Sequence, residues 1–342
     1  MRKMIYPISI NKNDCVGVIA TSKGISKETE KLKFHKAIEN FEKQGHNIII
    51  TNNINNNYKA RSSTGEERTN EFIKLWKDVN VKAIITLKGG NFLIEMLPFL
   101  EQNKEIFNLY KPKWVQGFSD TTTLLYYITT NFDIATIHAD NFMNFGMKNI
   151  NRGQINSINI LEGQEIKQES FDMYQSIHQS SDIISDYNFD KKSIWKNLYN
   201  ENIIHITGRI IGGNLESITK LIGTRYDNTR NYIEKYKNDG IVWYLESFSM
   251  NTSEVYGALW EMKESGYFKY TSGFIFGRPA ICENEYNITY EETLKDILGQ
   301  LHVPIIYNAD IGHVPPQLSI INGAITDIIS KDGKGVLVCK KI

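Results

Sequence analysis

The chain has 342 residues, of which 41% are hydrophobic and 23% charged, ordinary values for a globular protein with a sizeable core. That length accommodates two domains or one large one. The 39 basic and 39 acidic residues cancel to a formal net charge of zero, which argues against duplex DNA or an anionic membrane as a partner. We therefore expect neither nucleic acid nor membrane among its partners.

The first residues do not predict a secretory signal, because the polar residues at 11–14 interrupt the apolar segment that such a signal needs. No later window approaches the roughly 20 apolar residues of a membrane-spanning helix. Cys15, Cys282 and Cys339 are far apart and not in CxxC spacing. They predict reduced thiols in the protein core and give no metal signature. We expect a cytoplasmic protein without a cofactor.

Strand-like and helix-like segments alternate through the first half of the sequence. The strands are predicted at residues 16–21, 46–50, 81–90 and 111–120, and the helices at 26–45, 64–80, 92–100 and 121–132. Ser26 and Thr64 are predicted to cap the first two helices. This alternation predicts a parallel sheet covered on both faces, as in a Rossmann-like domain. Functional sites in such sheets form beyond the carboxyl ends of the strands.

The middle of the chain differs in composition. Residues 166–200 are polar, rich in Ser and Asp, and weakly periodic, and we interpret them as a linker with an excursion loop. Strand and helix signals then resume, including a strand, a Gly-Gly turn and a helix over 203–223. The sequence thus predicts a two-domain α/β protein, with an N-terminal domain over 1–165 and a C-terminal mixed α/β domain over 201–342.

Ser119 lies at the junction of a buried strand and a helix, in the segment WVQGFSDTTTLL. A tight turn at this point would project the hydroxyl as a nucleophile and aim the amides of the following helix at the site. The segment is not the G-x-S-x-G elbow, because Thr121 occupies the position of the second glycine. The local pattern is equally typical of an ordinary helix N-cap.

Glu246 and His313 are the acid and the base that could accompany such a serine. Glu246 ends an apolar strand, where a charge is costly unless it is paired or lies at the rim. His313 lies in a loop stiffened by Gly312 and two prolines, a fixed position that suits a general base. Each has an ordinary structural alternative, a solvated strand end or a loop histidine. The spacing of these residues in the sequence cannot decide between a catalytic and a structural role, because a triad is defined by its three-dimensional geometry.

The remaining glycine and histidine patterns argue mainly against nucleotide-cofactor and metal sites. Gly89 and Gly90 could supply an oxyanion amide or form a simple turn. Neither this pair nor the glycines at 212–213 complete G-x-G-x-x-G, and no Walker A sequence occurs. The histidines show no HxH or HxxxH spacing, so no metal site is predicted.

Several motifs together resemble the LD-carboxypeptidase family of serine peptidases. They are LKGGN, GFSDTTTLL, GRIIGGNLESI, LESFSMNTSEV, SGFIFGRP and IGHVPPQLSIINGA, and they occur in the family's order from about residue 13 to 330. The resemblance implies a metal-free triad with Ser119 as nucleophile, Glu246 as acid and His313 as base. It also implies an oxyanion hole formed by the amides of Gly90 and Asp120.

The family resemblance further implies the substrate-binding residues and the class of substrate. Gly89 and Asn214 lie in the matching motifs and are expected to contact the substrate. One family group releases D-alanine from muropeptides, and the other, the microcin C immunity group, cleaves an aminoacyl-nucleotide antibiotic. The stretch after Glu246 is closer to the immunity group. The segment 166–200 would then carry aromatic residues that stack on the nucleobase, Trp195 first and Tyr187 second, although Trp195 could equally anchor a long loop.

At two places the sequence differs from the family's motifs, and these differences leave the identity of the substrate undetermined. Ala139 and Asp140 replace the Gly-Pro that immunity-type members tend to have, and Lys88 replaces the usual arginine of the carboxypeptidase group. Three functions therefore stand: an immunity-type amidase acting on a peptidyl nucleotide, a muropeptide carboxypeptidase, and a binding protein without turnover. By resemblance we also expect a homodimer.

Overall fold

The computed structural model describes residues 3–164, 167–177 and 184–340, and it begins with alternating strands and helices. The first strands are β1 Cys15–Ile19, β2 Asn47–Ile50, β3 Val81–Thr86, β4 Trp114–Gly117 and β5 Thr136–His138. The helices between and after them are α1 Glu28–Lys43, α2 Gly65–Lys77, α3 Leu97–Gln102, α4 Ile106–Leu109, α5 Thr122–Phe132 and α6 Arg152–Leu161. The predicted alternation of this half is confirmed.

Short strands follow in the middle segment, and longer elements return after residue 200. The strands are β6 Lys167–Glu169, β7 Met173–Tyr174, β8 Lys191–Lys192, β9 Lys196–Asn197, β10 Ile203–Asn214, β11 Ile241–Glu246, β12 Thr271–Gly277, β13 Ile305–Ala309, β14 Ile320–Asn322, β15 Ile325–Lys331 and β16 Lys334–Lys340. The helices are α7 Leu215–Ile218, α8 Thr229–Lys235, α9 Thr252–Glu264 and α10 Tyr290–Leu298.

These strands form two large sheets, as the predicted two-domain α/β fold requires. The first has the order β14-β5-β4-β3-β1-β2, with β1 to β5 parallel and β14 antiparallel. The second has the order β6-β16-β15-β10-β11-β12-β13-β9 and is mixed, with β10 to β13 parallel. The strands β6 and β9 show that residues 166–200 are partly built into this sheet.

Two local predictions were wrong. Ser26 is not the cap of α1, because the N-cap position belongs to Lys27 and the hydroxyl of Ser26 instead donates to Glu30 Oε2. The glycines at 212–213 do not form a turn, since they lie inside β10, whose backbone passes close to β11. The Thr64 cap of α2 is confirmed by its side-chain bond to the Glu67 amide.

The parallel strands of both sheets end on the same cleft. Asn214 ends β10 and pairs in register with Glu246, which ends β11. Across the cleft, the hydroxyl of Ser217 donates to the carbonyl of Ser119 at 3.3 Å. The carboxyl ends of the two parallel regions therefore face each other, which is where α/β folds place their sites.

Gly212 tests how closely β10 and β11 must approach. A Cβ atom there would lie 1.8 Å from the carbonyl oxygen of Tyr244, a backbone atom that cannot move aside. Gly212→Ala is expected to lower the free energy of unfolding by about 3 kcal/mol or more. Gly257→Ala in α9 is the matched control, since no atom lies within 4 Å of its Cβ position. It should be neutral or stabilise by up to about 1 kcal/mol. Urea unfolding of both variants makes the comparison, and equal midpoints would contradict the close approach.

Candidate active site

Ser119 lies in a strained turn directly after β4. Its φ of +64° is in the left-handed region that non-glycine residues seldom adopt. Gly117 makes the turn possible, because a Cβ there would lie 2.3 Å from Thr86 Oγ1 and 2.7 Å from Asn141 Oδ1. The N-cap of α5 is Thr121, so the simple helix-cap interpretation of Ser119 is not supported. The turn projects a serine at a sheet edge, as a nucleophile requires.

Asp120 fixes the loops around this turn. Its carboxylate Oδ2 accepts hydrogen bonds from the Ser22 hydroxyl at 2.6 Å and from the Leu93 amide at 3.0 Å. Ser22 follows β1 and Leu93 follows the glycine pair after β3. One buried side chain therefore joins the loops after three neighbouring strands of the first sheet.

The glycine pair packs against both of these loops. A Cβ on Gly89 would lie 2.9 Å from Ser119 Oγ, and a Cβ on Gly90 would lie 2.1 Å from Ser22 Oγ. Both positions thus need glycine for close approach. Gly89, Gly90 and Ser119 all line one cavity. This placement brings the predicted oxyanion residues next to the predicted nucleophile.

Glu246 and His313 form a buried hydrogen-bonded pair. The Nδ1 of His313 lies 2.7 Å from Glu246 Oε2, and the Glu246 side chain is fully buried. The His313 ring also packs between Phe118 and Phe248, with ring centroids 4.9 Å and 4.7 Å away. A carboxylate held at Nδ1 leaves Nε2 as the nitrogen that can act on a substrate or nucleophile.

The charges of this pair control each other's ionisation. Burial disfavours the charged form of both groups, but the attraction between them outweighs it. The pKa of Glu246 is therefore lowered, and the pKa of His313 is raised above its ordinary value. The imidazolium is stabilised by its neighbour, which is the electrostatic condition for a base that must accept a proton.

His138 is a buried neighbour of this pair that the sequence did not single out. Its ring lies at the end of β5, 5.2 Å from the Tyr244 ring, and neither ring nitrogen has a hydrogen-bond partner among the described residues. Burial lowers the pKa of His138 to about 4, so the ring is neutral at pH 7. No spacing or motif in the sequence signals this position.

The cavity beside Ser119 has a volume of about 380 Å³. Ser119 and His313 both line it, so the structure brings the predicted nucleophile and base to one space. Its wall also includes Asp140, whose pKa burial raises to about 6, and Tyr187 from the middle segment. Asp140 Oδ1 accepts a hydrogen bond from Gln317 at 2.9 Å.

Trp195 is not brought to this cavity. Its side chain is only 2% exposed, and its Nε1–H donates to Asp310 Oδ2 at 2.9 Å. Asp310 also accepts from the Phe171 amide and the Ser193 hydroxyl and pairs with Arg278 at 3.0 Å. This buried cluster anchors the middle segment beside the loop of His313. The placement fits the anchoring alternative for Trp195 rather than stacking on a ligand.

Asn214 is not among the residues that line the cavity. Its amide oxygen accepts from the Ser217 backbone at 3.1 Å, and its Nδ2 donates to Glu216 at 2.6 Å. It therefore caps α7, the helix whose Ser217 contacts the Ser119 carbonyl. Its predicted contact with substrate stays a prediction.

The described residues contain no cluster of three or more His, Cys, Asp or Glu side chains that could hold a metal ion. Within the same residues no helix is both long and apolar enough to cross a bilayer. The predicted core placement of the cysteines is confirmed for Cys339, which is buried, and was wrong for Cys15 and Cys282, which are partly exposed. None of the three forms a disulfide in the described chain.

Two family models match this chain. The LD-carboxypeptidase N-terminal domain matches residues 16–139, and the LD-carboxypeptidase C-terminal domain matches residues 207–328. The chain therefore belongs to the LD-carboxypeptidase family and is a serine-type hydrolase.

The relatives of this chain include an antibiotic self-immunity protein and a carboxypeptidase. The Escherichia coli microcin C7 self-immunity protein MccF is 24% identical over 335 residues, which cover 96% of this chain and 94% of the relative. A Bacillus subtilis protein named "Probable murein peptide carboxypeptidase" is 21% identical, over 93% of this chain and 89% of its own. The structure of MccF with glutamyl sulfamoyl guanosine superposes with a TM-score of 0.80 at 20% identity, covering 98% of both chains. The fold is therefore shared with MccF.

Glu246→Gln tests whether the carboxylate controls the histidine. The amide keeps the shape but cannot stabilise the imidazolium, so the pKa of His313 should fall. The acid limb of the pH profile of kcat/KM should move to lower pH, and kcat should fall on the order of 10³-fold or more. Glu261→Gln, on the exposed face of α9, is the control and should change neither quantity. An unmoved acid limb would separate Glu246 from the titration of His313.

Proposed function

We propose that this protein hydrolyses an amide bond of a small aminoacyl-nucleotide conjugate through an acyl-enzyme formed on Ser119. The observation that carries the proposal is the buried Glu246–His313 pair at 2.7 Å, together with the opening of both His313 and Ser119 onto one cavity. The strained turn at Ser119 and the glycine pair beside it support the same assignment.

In the proposed mechanism His313 Nε2 removes the proton of the Ser119 hydroxyl as its oxygen attacks the scissile carbonyl. Glu246 orients the ring and stabilises the imidazolium. The amides of Gly90 and Asp120 receive the negative charge of the tetrahedral intermediate. His313 then gives its proton to the leaving nitrogen, the C–N bond breaks, and an ester on Ser119 remains. A water molecule, deprotonated by His313, hydrolyses this ester and restores the serine.

The choice of a nucleotide conjugate rests on the relatives and on the middle segment. MccF is 24% identical to this chain over nearly its whole length, and a structure of MccF contains glutamyl sulfamoyl guanosine. Tyr187 lines the cavity from the middle segment and offers an aromatic face to a base. We propose the cytoplasm as its location and a homodimer as its assembly, both from the family resemblance.

A muropeptide ending in D-alanine is the second candidate substrate. The relative named as a murein peptide carboxypeptidase supports it. Asp140 supports it too, because a carboxyl group in the cavity wall can accept a hydrogen bond from an ammonium or amide of a peptide. Both candidates use the same triad and differ only in the leaving group and in what fills the remainder of the cavity.

Ser119→Ala is expected to abolish turnover, with a loss of at least about 10⁴-fold, because no other nucleophile is proposed. The measurement is mass spectrometry of parallel incubations with aspartyl sulfamoyl adenosine and with a muropeptide tetrapeptide. Ser185→Ala, at another serine of the same cavity, is the control and should stay within a few-fold of the native rate. Cleavage of the nucleotide conjugate alone supports the immunity-type function, and release of D-alanine alone supports the carboxypeptidase. Turnover of neither contradicts both.

Substitutions of Tyr187 and Trp195 test which of these two side chains stacks on the nucleobase. Tyr187→Ala should raise KM for the nucleotide conjugate about 10-fold or more, since a stacked base contributes about 1–3 kcal/mol, whereas Tyr187→Phe should retain it. Trp195→Phe removes the Nε1–H that Asp310 accepts and should lower stability by about 1–3 kcal/mol without raising KM. Steady-state kinetics and thermal unfolding measure these effects. A higher KM in Trp195→Phe with unchanged KM in Tyr187→Ala would reverse the assignment.

A further inference from the structure

The charged side chains of the cavity wall do not balance. Three lysines line it, Lys23, Lys33 and Lys88, against the carboxyl groups of Glu30 and Asp140. The Lys88 ammonium lies 2.5 Å from Glu30 Oε1, so these two charges form a pair. Lys33 is buried beside Asp140, and its charge acts on that carboxyl group. Three ammonium groups thus stand against two carboxyl groups in the wall, an excess of one positive charge.

That charge belongs to Lys23. The part of the chain that the structure describes gives its ammonium neither an ion pair nor a hydrogen bond, and the residue is only partly exposed. The charge of Lys23 also acts on the buried ammonium of Lys88, so the two lysines of the wall form one positive region. A protein with zero net charge thus has a local excess of positive charge at this wall. Such an excess favours an anion in the cavity.

Lys23 also lies next to the reacting groups. A Cβ on Gly90 would lie 3.2 Å from Lys23 Cγ, so the lysine side chain starts beside the proposed oxyanion amide. The preceding residue, Ser22, is held by Asp120 at 2.6 Å, which fixes the backbone from which Lys23 extends. The ammonium is three bonds beyond Cγ. It can therefore reach a group attached directly to the scissile amide.

We propose that Lys23 forms an anion subsite that recognises a negative charge on the leaving group, one or two bonds from the scissile nitrogen. This inference rests on the proposed hydrolysis at Ser119. Both candidate substrates have such a group, the sulfamate or phosphoramidate of a nucleotide conjugate and the terminal carboxylate of a muropeptide. The subsite explains how one cavity accepts either, and it makes Lys23 a specificity residue.

Binding measurements in a Ser119→Ala background test the subsite without requiring turnover. The ligands are aspartyl sulfamoyl adenosine, the muropeptide tetrapeptide, and the same tetrapeptide with a carboxamide in place of its terminal carboxylate. Lys23→Met should weaken binding of the two anionic ligands about 10- to 100-fold and leave the carboxamide unchanged. Lys23→Arg should restore most of the affinity, because it returns the charge. The affinity lost in Lys23→Met should also be the part that decreases with ionic strength.

Lys27→Met is the matched control, since it removes an exposed positive charge close to Lys88 that is not part of the cavity wall. It should change the affinities less than two-fold. The subsite is contradicted if Lys23→Met weakens binding of the carboxamide and of the carboxylate equally, or if it weakens binding of neither anionic ligand. It is also contradicted if none of the three ligands binds. Failure of the proposed function gives a different result. The anionic ligands would then still bind in a manner that depends on Lys23, but the native enzyme would cleave neither substrate.

Discussion

The carboxylate of Glu246 imposes the central physical constraint on this structure. It lies at the end of β11 with no exposed surface, and an unpaired charge in such a place costs several kcal/mol. His313 offsets most of this cost by coming within hydrogen-bond distance, and His138 and Asn214 add to the stabilisation. The contact with Glu246 in turn fixes the loop after β13. Gly312 permits this approach, because a Cβ there would lie 2.5 Å from Glu246 Oε2. The acid, the loop and the ring thus form one arrangement.

A second buried charge extends this arrangement to the middle segment. Asp310 comes three residues before His313 and accepts hydrogen bonds from Phe171, Ser193 and Trp195. The segment that contributes Tyr187 to the cavity is therefore anchored to the same loop that carries the histidine. One polar cluster therefore links the contacts of the middle segment to the loop that holds His313.

Much of this could be predicted from the sequence, and the failures have physical reasons. Apolar strands and amphipathic helices gave the order of elements in the first half, and the capping motif at Thr64 was correct because it depends on local atoms only. The glycines at 212–213 were wrongly predicted to form a turn. Glycine is needed both where two strands approach closely and where the chain bends, so the residue type alone does not distinguish the two. Ser119, Glu246 and His313 were found through motifs, whereas their proximity is a tertiary property. His138 and the charge imbalance at Lys23 are invisible in sequence, because both depend on which partners the fold supplies.

The strand β14 has a consequence for how the protein can be divided. It comes from the last part of the chain, yet it pairs with β5 and closes the edge of the first sheet, with Ile320 opposite His138. The two halves are consequently interlocked, and sequence position does not separate them. A fragment ending near residue 200 would leave the β5 edge with open hydrogen-bonding groups, the feature that leads sheets to pair with one another. An engineer who wished to exchange or circularly permute the halves would have to keep residues 320–322 with the first of them.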